Sequence, residues 1–286
     1  MRTISFYCKF LAVTFVLVSI ATASAGFDNC SLQNGSSGPV TNTTQCYVSP
    51  DKYWIKVYDV GVCKSVPTAP TGSQPYDVST CKPIFHNASG ATLEVKKGVA
   101  TPITGTITRP SNDTFSYVYF IIAPYTDIQT KKSFIPNRQA RGSSTTGGTC
   151  WSRAGNRYGY SLTGINDLVA CGSTVTNGDN GITRTWTNSF SGQPSLTYGT
   201  LTAYLLGSNN KLGNGSDNSM GNVVKILGVF TQILTVADTT TGLDIAYNVT
   251  QGASVEMTDL AFTGGRYEIS AFAAGSMIPI ITAIPH

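Results

Sequence analysis

Apolar and polar side chains alternate along several short segments of this chain with a period of two residues. The clearest example is the segment 52–62, where Tyr53, Ile55 and Val57 alternate with polar or amphipathic side chains. Because successive side chains of a strand point to opposite faces of a sheet, the segment predicts a strand with one buried face. The segment 115–123 is apolar almost throughout and predicts a strand at the centre of a sheet.

Further apolar or alternating segments predict additional strands, and turn-rich sequence separates them. These segments are 91–96, 101–108, 196–206, 223–237, 242–249, 253–259 and 267–273. The pattern predicts an all-β protein with one large or two smaller antiparallel β-sandwich domains, immunoglobulin-like or jelly-roll-like, and disulfide-stapled loops.

Polar sequence without a clear period divides the chain. The segment 130–156 predicts a long surface loop and an internal boundary. We predict four regions along the chain. They are a signal peptide over residues 1–25, an N-terminal β-sandwich region over 26–140, a disulfide-stapled loop-rich region over 141–181 and a C-terminal β-rich region over 182–286.

The N-terminus has the pattern of a cleaved secretory signal. Arg2 and Lys9 flank the start of the apolar run 10–20, which ends on the small residues 23–25. This predicts a secreted protein, extracellular or at a cell surface. No later apolar run reaches the roughly 20 residues of a membrane-spanning helix, so we predict no transmembrane segment in the mature chain.

The composition agrees with this picture. Charged residues make up 12% of the chain, and the only glutamates are Glu94, Glu256 and Glu268. The few basic residues are scattered and form no patch that could neutralise a phosphate backbone, which argues against a nucleic-acid partner.

The predicted mature chain contains six cysteines, which predict disulfides in an oxidising compartment. The simplest pairing joins sequence neighbours, as Cys30–Cys46, Cys63–Cys81 and Cys150–Cys171. Six cysteines allow fifteen pairings, so the others stay open. Each short loop closed in this way contributes about 3 kcal/mol of stability.

The sequence contains no recognisable catalytic motif, and we predict that the protein is not an enzyme. The histidines are His86 and the terminal His286, so a Ser-His-Asp or Cys-His arrangement would have to use His86. Distant carboxylates such as Glu256 with Asp259, or Glu94 with Glu268, keep a glycoside hydrolase open as a third hypothesis.

No cluster of His and Cys has metal-ligand spacing, so we predict no cofactor. The loops 177–181 and 209–218 carry oxygen ligands suited to calcium, but neither has an EF-hand or nonapeptide order, and their Asn-Gly content favours ordinary turns.

Two tryptophans in polar surroundings, Trp151 and Trp186, are candidates for exposed rings that stack on a sugar or another ligand. The alternative is that they fill the core, as most aromatic side chains do.

The C-terminal tail is apolar. Ile278, Ile280 and Ile284 lie at alternate positions, and prolines stand beside them. It predicts either a last strand of the protein's own sheet or a strand donated to a neighbouring copy, which would make the protein self-associate.

The segment 53–63, which begins Tyr-Trp-Ile-Lys-Val-Tyr, is followed by a Pro/Ser/Thr-rich loop and Cys81. This opening resembles that of exported β-rich proteins of marine planktonic bacteria, over about the first third of the mature chain. The resemblance implies export and a β-rich fold, and it transfers no functional residue.

From these features we expect a secreted structural or adhesive subunit of a cell surface or extracellular filament, assembling by strand donation. The alternative is an extracellular module that binds surface glycans or another ligand through Trp151 or Trp186.

Overall fold

The structure is a computed structural model. It describes residues 44–95, 101–143, 145–158, 168–175, 180–187, 193, 195–216, 219–247, 252–258, 268–274 and 279–285. The predicted signal peptide and Cys30 lie outside these residues. Cys46 lies in a described strand, but its side chain is not described, so the predicted Cys30–Cys46 pair stays a prediction.

The described residues form seventeen strands, and none of them lies in a helix that could span a membrane. The strands are β1 (Thr44–Val48), β2 (Lys52–Cys63), β3 (Lys82–Val95), β4 (Thr106–Ile107), β5 (Asp113–Gln129), β6 (Lys131–Ala140), β7 (Thr146–Ser152), β8 (Gly155–Tyr158), β9 (Val169–Gly172), β10 (Thr183–Trp186), β11 (Ser195–Tyr198), β12 (Leu201–Gly207), β13 (Val223–Val236), β14 (Thr240–Tyr247), β15 (Ala253–Thr258), β16 (Glu268–Ala274) and β17 (Pro279–Pro285).

The strands form two large sheets and one small sheet. A nine-stranded sheet has the order β11-β12-β13-β5-β2-β3-β4, and β10 and β8 extend it beside one end of β5. A six-stranded sheet has the order β1-β15-β16-β6-β7-β9, and β14 pairs with β17 alone. Both large sheets contain strands from the regions predicted as 26–140 and 182–286, so sheet membership does not follow the predicted regions.

The inner faces of the two large sheets share one apolar core. Tyr53, Ile55 and Val57 of β2 belong to the same buried cluster as Val255 of β15 and Phe272 of β16. The pairs β6–β16 and β8–β10 are parallel, and the other strand pairs of the two large sheets are antiparallel. Since the chain is all-β and these two sheets enclose one core, the predicted β-sandwich class is confirmed.

The predicted loop over 130–156 is wrong, because β6 and β7 lie within it and β8 begins in it. Only Thr130 separates β5 from β6, so the chain passes there from the nine-stranded to the six-stranded sheet. Two bonds fix this corner: the Ser152 hydroxyl accepts from the Thr130 amide at 3.0 Å, and the Thr130 carbonyl accepts from the Ser152 amide at 2.9 Å. The alternation of apolar and polar residues does not reveal these strands, because polar side chains occupy some of their buried positions. Arg138, for example, is buried with its guanidinium 5.7 Å from the ring centre of Phe134.

The outer face of the nine-stranded sheet has two different halves. In one half Tyr119, Ile121 and Leu227 form a second apolar cluster with the buried disulfide Cys63–Cys81. The loop between these cysteines, 64–80, covers that half, and Tyr76 from the loop packs against the cluster. Backbone bonds from Tyr76 to Asn210 and from Leu212 to Thr71 hold the loop on the sheet.

A second disulfide, Cys150–Cys171, joins neighbouring strands β7 and β9. The predictions of the Cys63–Cys81 and Cys150–Cys171 disulfides are therefore confirmed.

The C-terminal tail lies as β17 against β14 of the same chain. Ile281 is buried in the main core, whereas Ile280 is 45% exposed and Ile284 half-buried. The side chain of Gln232 donates to the Ile281 carbonyl and accepts from the Ile281 amide. Ile278 lies outside the described residues.

Candidate ligand-binding face

The other half of the same outer face carries half-buried aromatic and charged side chains. We call it the aromatic face and define it by Trp54 of β2, Tyr125 and Asp127 of β5, and Arg184 and Trp186 of β10. No loop comparable to the stapled loop covers it in the part of the chain that the structure describes.

Strand register places these five residues side by side. Asp127 lies directly opposite Trp54 on one side and opposite Arg184 on the other, and Trp186 lies opposite Tyr125. Directly opposite side chains on one face lie about 5 Å apart, so the row crosses three adjacent strands in about 10 Å. Glu94 of β3 extends the row beyond Trp54, and Asn156 of β8 extends it beyond Arg184.

The centre of the face is a tight cation–aromatic cluster. The ring centres of Tyr125 and Trp186 are 4.8 Å apart, and the rings are tilted by 59°. The Arg184 guanidinium carbon lies 3.9 Å from the centre of the Tyr125 ring and 5.7 Å from the Trp186 ring. Such contacts orient the rings and leave part of each surface accessible, as recognition of a flat ligand requires.

Asp127 fixes the position of Arg184. Both carboxylate oxygens accept from the guanidinium, from Nε and from Nη2, each at 2.7 Å. This bidentate bond raises the pKa of Arg184 above its ordinary value and makes the cluster rigid. The Trp186 indole also donates to Asn156 Oδ1 at 3.3 Å, which holds the second ring in the row.

The corner between the two sheets positions β10. The Ser152 hydroxyl donates to the Gly181 carbonyl at 2.8 Å, and Gln129 donates to the Asn180 carbonyl at 2.5 Å. The buried Thr183 hydroxyl then donates to the Arg153 carbonyl at 2.8 Å, at the start of β10. Arg184 and Trp186 therefore project from a short strand that is anchored at its first residue.

The two sequence-predicted tryptophans have different environments. Trp186 lies half-buried in the aromatic face. The prediction that Trp151 is exposed is wrong, since only 3% of it is accessible. Its indole packs over Gly172 and lies opposite Ala170, and these small residues make room for it beside the Cys150–Cys171 disulfide. Trp151 is therefore not a stacking platform.

Sequence reasoning missed Trp54, Tyr125, Asp127 and Arg184. Two signals could have found them. Trp54 alternates with the buried Tyr53 and Ile55 and must point away from the core, and Arg184 precedes Trp186 by two residues on one strand face. What the sequence does not contain is the pairing of β10 with β5, which brings these residues together.

The catalytic candidates are scattered. His86 Nδ1 lies 2.5 Å from Asp59 Oδ1 on neighbouring strands, and no described serine, threonine or cysteine side chain has a hydrogen bond to that imidazole. Glu94 lies at the margin of the aromatic face, whereas Glu256 and Glu268 lie on the six-stranded sheet. Asp259 lies outside the described residues.

Glu256 and Glu268 are buried, with different surroundings. Glu256 Oε2 accepts from Arg157 Nη2 at 2.6 Å, an ion pair between β15 and β8. Within the described residues, neither carboxylate oxygen of Glu268 has a hydrogen-bond partner, and burial raises the pKa of this carboxyl while the charge of Arg141 partly offsets the shift. This pattern is typical of a destabilising buried charge.

No three His, Cys, Asp or Glu side chains come together as a metal site among the described residues. In the second candidate calcium loop, the Asn209 side chain accepts from the Lys211 amide at 3.1 Å, as in an ordinary turn. Most of the loop 177–181 lies outside the described residues, and so do Asp217 and Asn218.

Comparison with known proteins gives no match: no family model, no curated protein and no solved structure is similar to the chain. The resemblance to exported proteins of marine bacteria stays a prediction. Functional inference therefore depends on the geometry of the site.

Proposed function

We propose that the protein is a secreted adhesive module that binds saccharides of an extracellular or cell-surface glycan through the aromatic face. The observation that carries the proposal is the pre-organised Tyr125–Trp186–Arg184–Asp127 cluster on an open sheet face. Sugar rings present apolar C–H faces that pack on aromatic rings and hydroxyls that bond to charged groups. The aromatic face combines both types of group.

The two halves of the outer face support this assignment. Where a sheet face serves only stability, as under the stapled loop, the chain covers it with its own apolar residues. The aromatic face instead retains large rings in contact with solvent, although open aromatic surface is a cost unless a partner covers it. Three strands present its side chains, so it is rigid before a ligand binds and loses little conformational entropy on binding.

The experiment is a glycan-array screen followed by calorimetric titration of the best saccharide. Trp186→Ala and Tyr125→Ala should each weaken binding by about tenfold, since a stacked aromatic side chain contributes on the order of 1.4 kcal/mol. Ile233→Ala is the matched control, because Ile233 is 75% exposed and lies outside the face. Binding that survives Trp186→Ala and Tyr125→Ala together would refute the proposal.

A second candidate function is assembly into a filament by exchange of β17. It is favoured by one observation: among the described strands β17 pairs only with β14, in a sheet apart from both large sheets, and the apolar Ile280 and Ile233 stay exposed beside the Gln232 link. A neighbouring copy could supply the same strand to β14.

Deletion of residues 279–286 separates the roles of the tail. Strand exchange predicts a folded monomer that no longer polymerises and that recovers its stability when a peptide of sequence 279–286 is added. If wild-type protein stays monomeric at every concentration in light scattering, assembly by exchange is excluded.

A further inference from the structure

A pair of lysines borders the aromatic face and shares one tyrosine ring. Lys56 Nζ lies 5.5 Å from the centre of the Tyr58 ring, and Lys225 Nζ lies 4.6 Å from the same centre. Lys56 and Tyr58 follow Trp54 along β2, so the pair lies beside the aromatic face in the strand direction, where Tyr58 also packs against the covered cluster. We call Lys56, Tyr58 and Lys225 the lysine pair site.

The positive charge of this site is not neutralised by the described protein. Neither lysine forms an ion pair within the described residues. Three carboxylates on the same sheet are placed elsewhere: Asp59 contacts His86, Asp127 binds Arg184, and Glu94 lies opposite Trp54. Burial raises the pKa of Tyr58, so the phenol is neutral at pH 7 and attracts the ammonium groups only through its ring.

The backbone shapes the site as well. Gly90 of β3 lies beneath the Lys56 chain and the Tyr58 ring, and a Cβ at this position would meet both side chains, with Lys56 Cε at 2.6 Å. Its φ of 74° also favours glycine. The absence of a side chain at Gly90 therefore makes room for Lys56 and Tyr58.

We infer that the glycan bound by the aromatic face is anionic, and that its sulfate or carboxylate groups bind between Lys56 and Lys225. This inference rests on the proposed function and specifies its ligand class. Both ammonium groups lie near one ring, and neither is paired with a described carboxylate, so an oxyanion that reaches them gains charge-assisted hydrogen bonds. A neutral saccharide would leave both ammonium groups unpaired.

The test compares three polysaccharides by calorimetry: dextran sulfate, polygalacturonate and uncharged dextran. Lys56→Gln/Lys225→Gln should weaken binding of the preferred anionic polymer about tenfold at 0.15 M salt, and it should flatten the salt dependence of binding. Preference for dextran sulfate over polygalacturonate identifies a sulfate ligand, and the reverse order identifies a carboxylate ligand.

The control is Lys82→Gln/Lys211→Gln, which removes the same charge at the covered end of the same sheet. Equal losses in the two double variants would show general attraction between polyelectrolytes and would overturn the inference. So would wild-type binding to dextran that matches binding to both anionic polymers. If Tyr125→Ala/Trp186→Ala leaves all binding intact, the proposed function itself fails.

Discussion

At the scale of single residues, the fold depends on close approaches that leave room only for glycine. Gly61 of β2 lies under the ring of Tyr119, and a Cβ at position 61 would overlap that ring. Tyr119 in turn packs in the cluster beneath the stapled loop. The missing side chain at Gly61 is therefore part of the packing of the covered half of the sheet.

Gly61→Ala should lower the free energy of unfolding by about 1–3 kcal/mol, because the rigid ring of Tyr119 must move away from an overpacked site. Chemical denaturation measures the change. Gly72→Ala is the control, since a Cβ at position 72 meets no atom within 4 Å. Similar stabilities of the two variants would contradict the described packing of Tyr119.

Glu268 predicts a pH dependence of stability. Because burial raises the pKa of this carboxyl in the folded state, the folded protein binds its proton more tightly than the unfolded chain. The stabilising effect of that proton is present below the unfolded pKa and is lost as the pH rises through the folded pKa.

Glu268→Gln should therefore stabilise the protein more at pH 7 than at pH 4, by on the order of 1 kcal/mol. Thermal unfolding at the two pH values measures the difference. Glu256→Gln is the contrasting variant and should destabilise at pH 7, since it breaks the ion pair with Arg157. An equal effect of Glu268→Gln at both pH values would show that the carboxyl is not perturbed.

At the scale of elements, alternation along the sequence predicts strands where one face is apolar. The segments 52–62 and 223–237 correspond closely to β2 and β13, and 253–259 corresponds to β15. Alternation is hard to recognise where a buried position carries a polar side chain, as at Arg138 of β6 and Ser152 of β7. The aromatic face was only partly predictable for a related reason, because Trp186 is visible in the sequence while its pairing with Tyr125 depends on contacts between distant strands.

The stapled loop gives a prediction at this scale. Cys63→Ser/Cys81→Ser should cost about 3 kcal/mol of stability through the entropy of the unfolded chain. It should also increase the binding of a hydrophobic dye, because Leu227 and Val229 lose their cover. Saccharide binding should persist at a temperature where the variant is folded, since the loop covers the other half of the sheet. Loss of binding in the folded variant would place the ligand site under the loop instead.

At the scale of the whole molecule, two sheets enclose one core, and the stapled loop covers one half of the outer face of the larger sheet. We propose that the other half serves recognition. The chain crosses between the sheets at Thr130, and the hydrogen bonds of that corner also fix β10. These hydrogen bonds therefore hold β10, and with it Arg184 and Trp186, in a fixed position on the sandwich. In the proposed function, the charged border at Lys56 and Lys225 selects anionic saccharides.

The chain contains three tryptophans, Trp54, Trp151 and Trp186, so a ¹⁵N-labelled sample gives three indole N–H signals in a nuclear magnetic resonance spectrum. Titration with the tightest-binding saccharide tests the central claim directly. We predict that the Trp186 and Trp54 signals shift in proportion to saturation, while the signal of the buried Trp151 on the other sheet stays in place. A saturated complex in which Trp186 and Trp54 do not move, or in which only Trp151 moves, would contradict the assignment of the aromatic face as the binding site.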